Sequence, residues 1–127
     1  MGNWIWWVAA AIGFYVIFKP SVPATAILSP GDVRDWMAAK KDLQLIDVRT
    51  PGEYSQGHLM GAKLLPLQEL GSRVGSLDPK KPLVVYCRSG GRSSQALKIL
   101  LGQGFSEAKH MQGGISAWQG AGLPVTR

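Results

Sequence analysis

The chain has 127 residues, enough for one domain with its own hydrophobic core and little more. Its single cysteine excludes an intramolecular disulfide framework and any metal site built from several cysteines, and the two histidines lack the spacing of metal ligands. The net charge of +6 is spread along the chain without a basic and aromatic stripe, so it predicts binding of small anions or acidic lipid headgroups rather than nucleic acid.

A long apolar and aromatic segment lies close to the N-terminus. Residues 4–18 are all apolar, aromatic or Gly, and with the two residues before them they approach the lower limit of about 17 residues for a helix that crosses a bilayer. Lys19 and Pro20 end the run, and interfacial tryptophans cluster at its other end: Trp4, Trp6 and Trp7. The pattern predicts a transmembrane anchor over residues 1–19, in contact with the lipid bilayer through residues 4–18, and a linker over residues 20–26.

Three other interpretations of this segment fit less well. A secretory signal would be cleaved near Ala26 and would make the protein secreted or periplasmic. The stretch Ala24-Thr25-Ala26 has the required small residues, but no side-chain charge precedes the apolar run. A core helix this apolar would need burial on every side, and the myristoylation motif fails because Trp6 stands where Ser or Thr is required.

The distribution of basic residues predicts the orientation of the anchor. They follow the apolar segment rather than precede it, at Lys19, Arg34, Lys40 and Lys41. The positive-inside rule then places the rest of the chain in the cytoplasm. A reducing cytoplasm also suits a free, reactive thiol.

Predicted strands and helices alternate along the remainder of the chain. Strands are predicted at residues 27–28, 43–48, 62–65, 83–86 and 108–111. Helices are predicted after the N-cap Ser29, at 51–56 with Gly57 as its end, along the leucine-rich stretch 67–77, at 93–101 and after Gly114. This alternation predicts an α/β domain, with a central parallel sheet of about five strands flanked by helices on both faces.

A polar motif ends the second predicted strand at Asp47 and Arg49, as Cys87 ends the fourth. Ligands of parallel sheets bind beyond the carboxyl ends of the strands, so we expect the two motifs to meet at one edge. Asp47 is expected to accept hydrogen bonds from loop amides or an arginine, because a carboxylate beside a thiolate would raise the pKa of the thiol. For Arg49 we expect an ion pair with Glu53, four residues further on.

Cys87 opens a compact polar loop between a predicted strand and a predicted helix. Without that context a lone cysteine would be a small buried hydrophobic residue. Here the glycines allow a tight turn with uncovered backbone amides, and the helix N-terminus adds partial positive charge. We therefore expect a thiolate with a pKa below ~8.5, held in an anion-binding loop. The loop residues are Arg88, Ser89, Gly90, Gly91, Arg92 and Ser93.

The loop side chains have distinct expected roles. Arg88 and Arg92 flank the mouth of the loop and would hold an anion. The hydroxyl groups of Ser89 and Ser93 either hydrogen-bond the sulfur or cap the following helix. Capping is the expected role of Ser93.

Three ordered motifs together indicate a family. They are Leu45-Ile46-Asp47-Val48-Arg49 with Glu53-Tyr54, Gly57-His58 and Gly61-Ala62; the loop Cys87 to Ser93; and Gly113-Gly114-Ile115-Ser116-Ala117-Trp118 with residues 121–125. In these motifs the chain resembles the rhodanese sulfurtransferases, in their single-domain form with an N-terminal membrane anchor. The resemblance covers a domain over residues 27–127 and implies a rhodanese-like three-layer fold. It also assigns His58 a structural place rather than that of a general base for Cys87.

The resemblance implies a ping-pong sulfurtransferase that needs no cofactor and no metal. The Cys87 thiolate would take the outer sulfur of thiosulfate or a persulfide donor, and pass it from a cysteine persulfide to cyanide or a thiol acceptor. The loop amides would stabilise both anions, and Arg88 and Arg92 would bind the sulfonate end of the donor. The alternative is a membrane-tethered persulfide relay or binding module that receives sulfur from a protein partner and turns over little thiosulfate.

The length of the loop separates this interpretation from a phosphatase. Loops of the tyrosine-phosphatase and arsenate-reductase type place an arginine six positions after the cysteine. In this chain Ser93 holds that position and Arg92 comes one residue earlier. A smaller ring fits a single sulfur atom better than a phosphoryl group.

Overall fold

A single parallel sheet forms the centre of the fold. The computed structural model describes residues 22–127. Within them the strands lie in the order β1-β5-β4-β2-β3, and every neighbouring pair is parallel. The strands are β1 (Ile27–Leu28), β2 (Gln44–Asp47), β3 (Lys63–Leu64), β4 (Leu83–Tyr86) and β5 (Ala108–Met111). The predicted sheet of about five parallel strands is therefore confirmed.

Helices cover both faces of the sheet. They are α1 (Pro30–Ala39), α2 (Pro51–Gln56), α3 (Leu67–Arg73), α4 (Gly91–Gly102) and α5 (Gly114–Gly120). Leu70 of α3 and Leu97 of α4 pack with Val85 in one hydrophobic cluster. On the opposite face, Val33 of α1 and Trp118 of α5 pack with Val84 in a second cluster. Because successive residues of a strand point to opposite faces, β4 contributes to both cores and is fully buried.

The membrane prediction concerns a different part of the chain. The predicted anchor over residues 1–19 lies outside the described residues. Among the helices of residues 22–127, none has the length and apolar character needed to cross a membrane.

Local sequence signals set the starts of two helices. The Ser29 hydroxyl accepts a hydrogen bond from the Asp32 amide at 3.1 Å, and the Asp32 carboxylate accepts one from the Ser29 amide at 3.2 Å. Thr50 and Glu53 form the same reciprocal pair at the start of α2. Both helices carry Pro in the first turn, where its missing N–H costs nothing. The predicted N-cap at Ser29 and the predicted helix over residues 51–56 are confirmed.

Two predicted helices have different bounds in the structure. The helix expected along residues 67–77 ends at Arg73, and a 3-10 turn (Val74–Ser76) follows. Gly75 lies in that turn, where a glycine disfavours continuation of an α-helix. The helix expected to begin at Ser93 begins at Gly91, because Gly90 is the N-cap and adopts a left-handed φ of 111°.

The strand order brings the polar motifs together. In the register of β2 and β4, Asp47 lies opposite Tyr86, and the Val48 amide donates to the Tyr86 carbonyl at 3.1 Å. The segments that follow the two strands therefore leave the sheet at the same edge, as predicted. The start of α5 joins them, because the Ile115 amide donates to the Cys87 carbonyl at 2.9 Å.

Candidate active site

The Cys87 sulfur lies at the centre of the loop between β4 and α4. The residue is only 1% exposed. The Gly90 amide donates a hydrogen bond to the sulfur at 3.0 Å, and the thiol donates to the Ser93 hydroxyl oxygen at 3.5 Å. The left-handed conformation of Gly90 turns the chain back so that its amide points at the sulfur.

These hydrogen bonds determine the ionisation of the thiol. Burial alone would raise the pKa of Cys87. Once the thiol is ionised it accepts hydrogen bonds instead, from the Ser93 side chain and from the backbone amides of Ser93, Gly90 and Ser89, and these stabilise the thiolate enough to outweigh the effect of burial. The net result is a pKa below the ordinary value for cysteine, as predicted, and a larger fraction of the reactive thiolate at neutral pH.

Ser93 does not cap the helix, contrary to the expectation for it. It is the third residue of α4 and fully buried, and its hydroxyl donates to the Gly90 carbonyl at 3.2 Å as well as contacting the sulfur. The expectation failed because the helix begins two residues earlier than predicted, which moves the cap to Gly90. The alternative role, contact with the sulfur, is the one observed.

Of the two carboxylates near the site, Asp47 has the expected kind of partner and Glu53 does not. Asp47 accepts hydrogen bonds from the Arg49 amide at 3.0 Å and from its guanidinium at 2.7 Å, which confirms an arginine and a backbone amide as its partners. The predicted ion pair between Arg49 and Glu53 is wrong. The Arg49 guanidinium is held by Asp47 and by the Gly57 carbonyl at 2.6 Å, whereas Glu53 binds Arg92.

The pair of Glu53 and Arg92 joins α2 to α4. It is bidentate, with nitrogen to oxygen distances of 2.6 and 2.8 Å. The hydrogen bond from Arg92 is the main cause that lowers the pKa of Glu53 to about 2. Arg92, which was expected to bind an anion at the mouth of the loop, is therefore already neutralised by a carboxylate.

Arg88 is the loop arginine that stays available to a ligand. Its side chain is exposed, and within residues 22–127 it forms no salt bridge. It lines a polar cavity of about 330 Å³ beside the loop, together with Arg49, Glu53, Gln56, Ser116 and Gln119. Because Glu53 is paired with Arg92 and Arg49 with Asp47, the Arg88 charge is left beside amide and hydroxyl groups, which suits a small anion.

The two histidines lie in different places. The His58 ring stacks on the Tyr54 ring with 3.7 Å between centroids, and its Nδ1 hydrogen-bonds the Tyr54 carbonyl at 2.9 Å. This contact agrees with a structural place. His110, which sequence reasoning left without a role, is buried on β5 with its Nδ1 3.2 Å from the Ser93 hydroxyl oxygen. The alternation of side chains along β5 could have indicated this position, because it puts Ala108 and His110 on the face that α4 covers.

No potential metal site lies among the described residues. Within residues 22–127 no three His, Cys, Asp or Glu side chains come together in a group that could hold a metal ion. The groups that hydrogen-bond the Cys87 sulfur are backbone amides and the Ser93 hydroxyl, which can donate to an anion.

Comparison with known proteins agrees with this geometry. Residues 29–121 match the family model of the rhodanese-like domain. A sulfurtransferase of Allochromatium vinosum is 39% identical over 89 residues, which are 70% of this chain and 83% of that protein. A probable adenylyltransferase/sulfurtransferase of Mycobacterium tuberculosis, MoeZ, is 42% identical over 93 residues, 72% of this chain. The chain matches only 24% of that longer relative.

Solved structures show the same fold. The rhodanese-like domain of the Alr3790 protein from Anabaena superposes with a TM-score of 0.73 at 27% identity, over 80% of this chain and 78% of that one. The matched family region extends across the strands and the loop that build the site around Cys87. The chain therefore belongs to the family of rhodanese-like domains, and sulfur transfer is the general activity that its relatives support.

Proposed function

We propose that the chain is a thiosulfate sulfurtransferase that works through a persulfide on Cys87. The observation that carries the proposal is the convergence of the Gly90 amide and the Ser93 hydroxyl on a sulfur whose pKa is lowered. The Cys87 thiolate attacks the outer sulfur of thiosulfate, a new S–S bond forms, and sulfite leaves with the electron pair of the broken bond. A persulfide donor would lose a thiolate in the same way.

The second half of the reaction returns the thiolate. Cyanide or a thiolate acceptor attacks the outer sulfur of the persulfide, the S–S bond to Cys87 breaks, and the electron pair stays on Cys87. Both the thiolate and the persulfide are anions, so loop amides that are fixed before the reaction stabilise the site throughout. No cofactor and no metal takes part in either half.

We propose that some residues of the site bind the sulfur donor and that others hold the loops in place. We assign the sulfonate end of the donor to Arg88, whose charge is unpaired in the described part of the chain. The amides of Ser89, Gly90 and Ser93 hydrogen-bond the sulfur. Arg92 holds the loop against α2 through Glu53. Asp47 and Arg49 support the neighbouring loop at the same edge of the sheet.

Mass spectrometry tests the persulfide directly. The full chain, purified in detergent because of the apolar run 4–18, is incubated with thiosulfate beside its Cys87→Ser variant. We expect the unmodified protein to gain the mass of one sulfur atom, cyanide to remove it, and the variant to gain nothing. A protein that stays unchanged at saturating thiosulfate would contradict the thiosulfate reaction.

The same preparation tests the alternative of a protein-fed relay. The mycobacterial relative supports this alternative, because its name joins adenylyltransferase and sulfurtransferase in one chain that is much longer than this one. Loading of Cys87 by a persulfide-carrying protein, without loading by thiosulfate, would favour the relay. Hydrolysis of an aryl phosphate that depends on Cys87 would instead favour the phosphatase alternative.

We also propose that residues 1–19 anchor the domain of residues 27–127 to a membrane through the linker 20–26, with the domain in the cytoplasm. The apolar run and the basic residues after it support this arrangement. A membrane-impermeant thiol reagent on intact cells should leave Cys87 unlabelled until the cells are lysed. Labelling before lysis would contradict the orientation, and a mature protein beginning after Ala26 would replace the anchor by a cleaved signal.

A further inference from the structure

A buried imidazole stands behind the hydroxyl group that contacts the reactive sulfur. His110 of β5 has its Nδ1 3.2 Å from the Ser93 oxygen, and that oxygen is 3.5 Å from the Cys87 sulfur. Exposure is 7% for His110, 0% for Ser93 and 1% for Cys87. The three side chains thus form a row inside the protein, contributed by β5, α4 and the end of β4.

The Ser93 hydroxyl has one hydrogen and several neighbours that could accept it. Besides the sulfur and the imidazole nitrogen, the Gly90 carbonyl lies 3.2 Å from the Ser93 oxygen. If the bare Nδ1 of His110 took this hydrogen, the Cys87 thiolate would lose its side-chain donor. If Nδ1 carries a hydrogen instead, it donates to the Ser93 oxygen and leaves the hydroxyl hydrogen to the sulfur or to Gly90.

We propose that His110 is a positioning residue for Cys87, which donates its Nδ1 hydrogen to the Ser93 oxygen and thereby directs the Ser93 hydroxyl at the thiolate. The ionised sulfur then receives two hydrogen bonds, from the Gly90 amide and from Ser93. The inference rests on the proposed function only in taking Cys87 as the nucleophile. Burial lowers the pKa of His110, so the ring is neutral at physiological pH and keeps one hydrogen to donate.

The charged groups near the site are the same in the unmodified protein and in variants of Ser93 and His110. Beside His110, the paired residues Ile27 of β1 and Val85 of β4 carry no charge. Near the Cys87 loop, charged side chains come from the loop itself, from α4, from α2, and from the end of β2 and the segment after it: Arg88, Arg92, Glu53, Asp47 and Arg49. Variants at Ser93 and His110 leave all of them in place, so a change in the pKa of Cys87 reports on the hydrogen-bonded row.

The test measures the ionisation of Cys87 in the full chain without any sulfur donor. Because the chain has one cysteine, the rate of alkylation by iodoacetamide as a function of pH gives its pKa without ambiguity. We expect His110→Leu to raise this pKa by about one unit, the size of one lost hydrogen bond to a charged group. His110→Asn keeps an amide N–H near the position of the ring Nδ1, and is expected to stay close to the unmodified protein.

A double-variant cycle separates positioning from packing. Ser93→Ala should raise the pKa of Cys87 by itself, and adding His110→Leu to it should cause no further change. A purely structural loss at His110 would raise the pKa by the same amount whether or not Ser93 is present, and that result would overturn the proposal. An unchanged pKa in the folded His110→Leu variant would overturn it as well.

If the His110→Leu variant fails to fold, a spectroscopic measurement shows which ring nitrogen of His110 carries the hydrogen. The chain contains two histidines, so the ring ¹⁵N signals of His110 in the unmodified protein can be assigned by comparison with a His58→Gln variant. We expect a neutral ring with the hydrogen on Nδ1, and a neutral ring protonated only on Nε2 would overturn the proposal. Neither readout involves sulfur transfer, so failure of the persulfide assay is distinguishable from failure of this inference.

Discussion

At the scale of single residues, the three arginines in or beside the Cys87 loop differ in their binding partners. Arg49 is bound by Asp47, and Arg92 by Glu53, at distances of 2.7 and 2.6 Å. Arg88 is exposed and lines the polar cavity. A charge that no carboxylate neutralises gains most from binding an anionic donor, so the affinity for thiosulfate is expected to depend on Arg88.

Replacement of Arg88 tests this difference. Arg88→Ala is expected to raise the KM for thiosulfate about tenfold, which corresponds to about 1.4 kcal/mol, with no change in the free energy of unfolding. Arg88→Lys keeps the charge and should recover most of the affinity. Steady-state kinetics and urea unfolding provide the two readouts, and an unchanged KM in Arg88→Ala would assign the donor to another group.

At the scale of elements, the pair of Glu53 and Arg92 connects α2 to α4 and should make the stability depend on pH. The pKa of Glu53 falls from 4.5 to about 2, mainly through the hydrogen bond from Arg92. Since the folded-state pKa is the lower one, this pair stabilises the fold above pH 4.5 and the contribution is lost as the pH falls towards 2. Glu53→Gln is expected to be less stable at pH 7, and its free energy of unfolding should fall less between those pH values. Urea unfolding of both proteins across this range measures the effect, and parallel pH profiles would contradict it.

The attachment of α5 to the loop gives a second prediction for an element. Gly114 has a φ of 61°, and a Cβ added there would collide with the Cys87 and Arg88 carbonyl groups. Gly114→Ala should therefore displace the loop, lower the free energy of unfolding by about 1–3 kcal/mol and raise the pKa of Cys87. Gly120→Ala in the same helix is the control, because a Cβ there meets nothing within 4 Å. Equal stability of the two variants would mean that the loop tolerates the shift.

Local signals account for what was predictable at this scale. Ser29 with Asp32 begins α1 and Gly57 ends α2, and in each case the signal and the structure it determines lie within a few residues. The partners of Arg49 were not predictable in that way. A spacing of four residues favours an ion pair only inside a helix, and Arg49 precedes the N-cap of α2. Its contact with Asp47 depends on how the chain leaves the sheet.

The position of His110 shows a second limit of sequence reasoning. A histidine within a short, largely buried strand is typical of a core residue that needs one hydrogen bond, and nothing nearby in the sequence indicates its partner. That partner, Ser93, comes from α4, and the contact exists because β5 pairs with β4 and α4 packs over both. Strand order therefore had to be known before this part of the site could be recognised.

At the scale of the whole molecule, one buried ion pair links the site to the C-terminus. Arg49 binds Asp47 with side-chain exposures of 6% and 0%, and also binds the Gly57 carbonyl. The next residue, His58, exchanges two backbone hydrogen bonds of 2.8 Å with Thr126. The end of β2, the end of α2 and the last residues of the chain are thus held by one continuous set of contacts, so the loss of Asp47 should weaken the whole domain.

Asp47→Asn tests this coupling, because it leaves the Arg49 charge buried without a carboxylate. We expect the free energy of unfolding to fall by about 3–5 kcal/mol, the usual cost of breaking a buried pair by removing one partner. Asp35→Asn is the matched control, since its pair with Arg34 is exposed on the surface and should contribute about 1 kcal/mol or less. Urea unfolding compares the two variants, and hydrogen exchange at the Thr126 amide shows whether the C-terminal contact opens with the pair. A small loss in Asp47→Asn, equal to that of the surface control, would mean that water reaches Arg49 and that the pair does not hold the domain together.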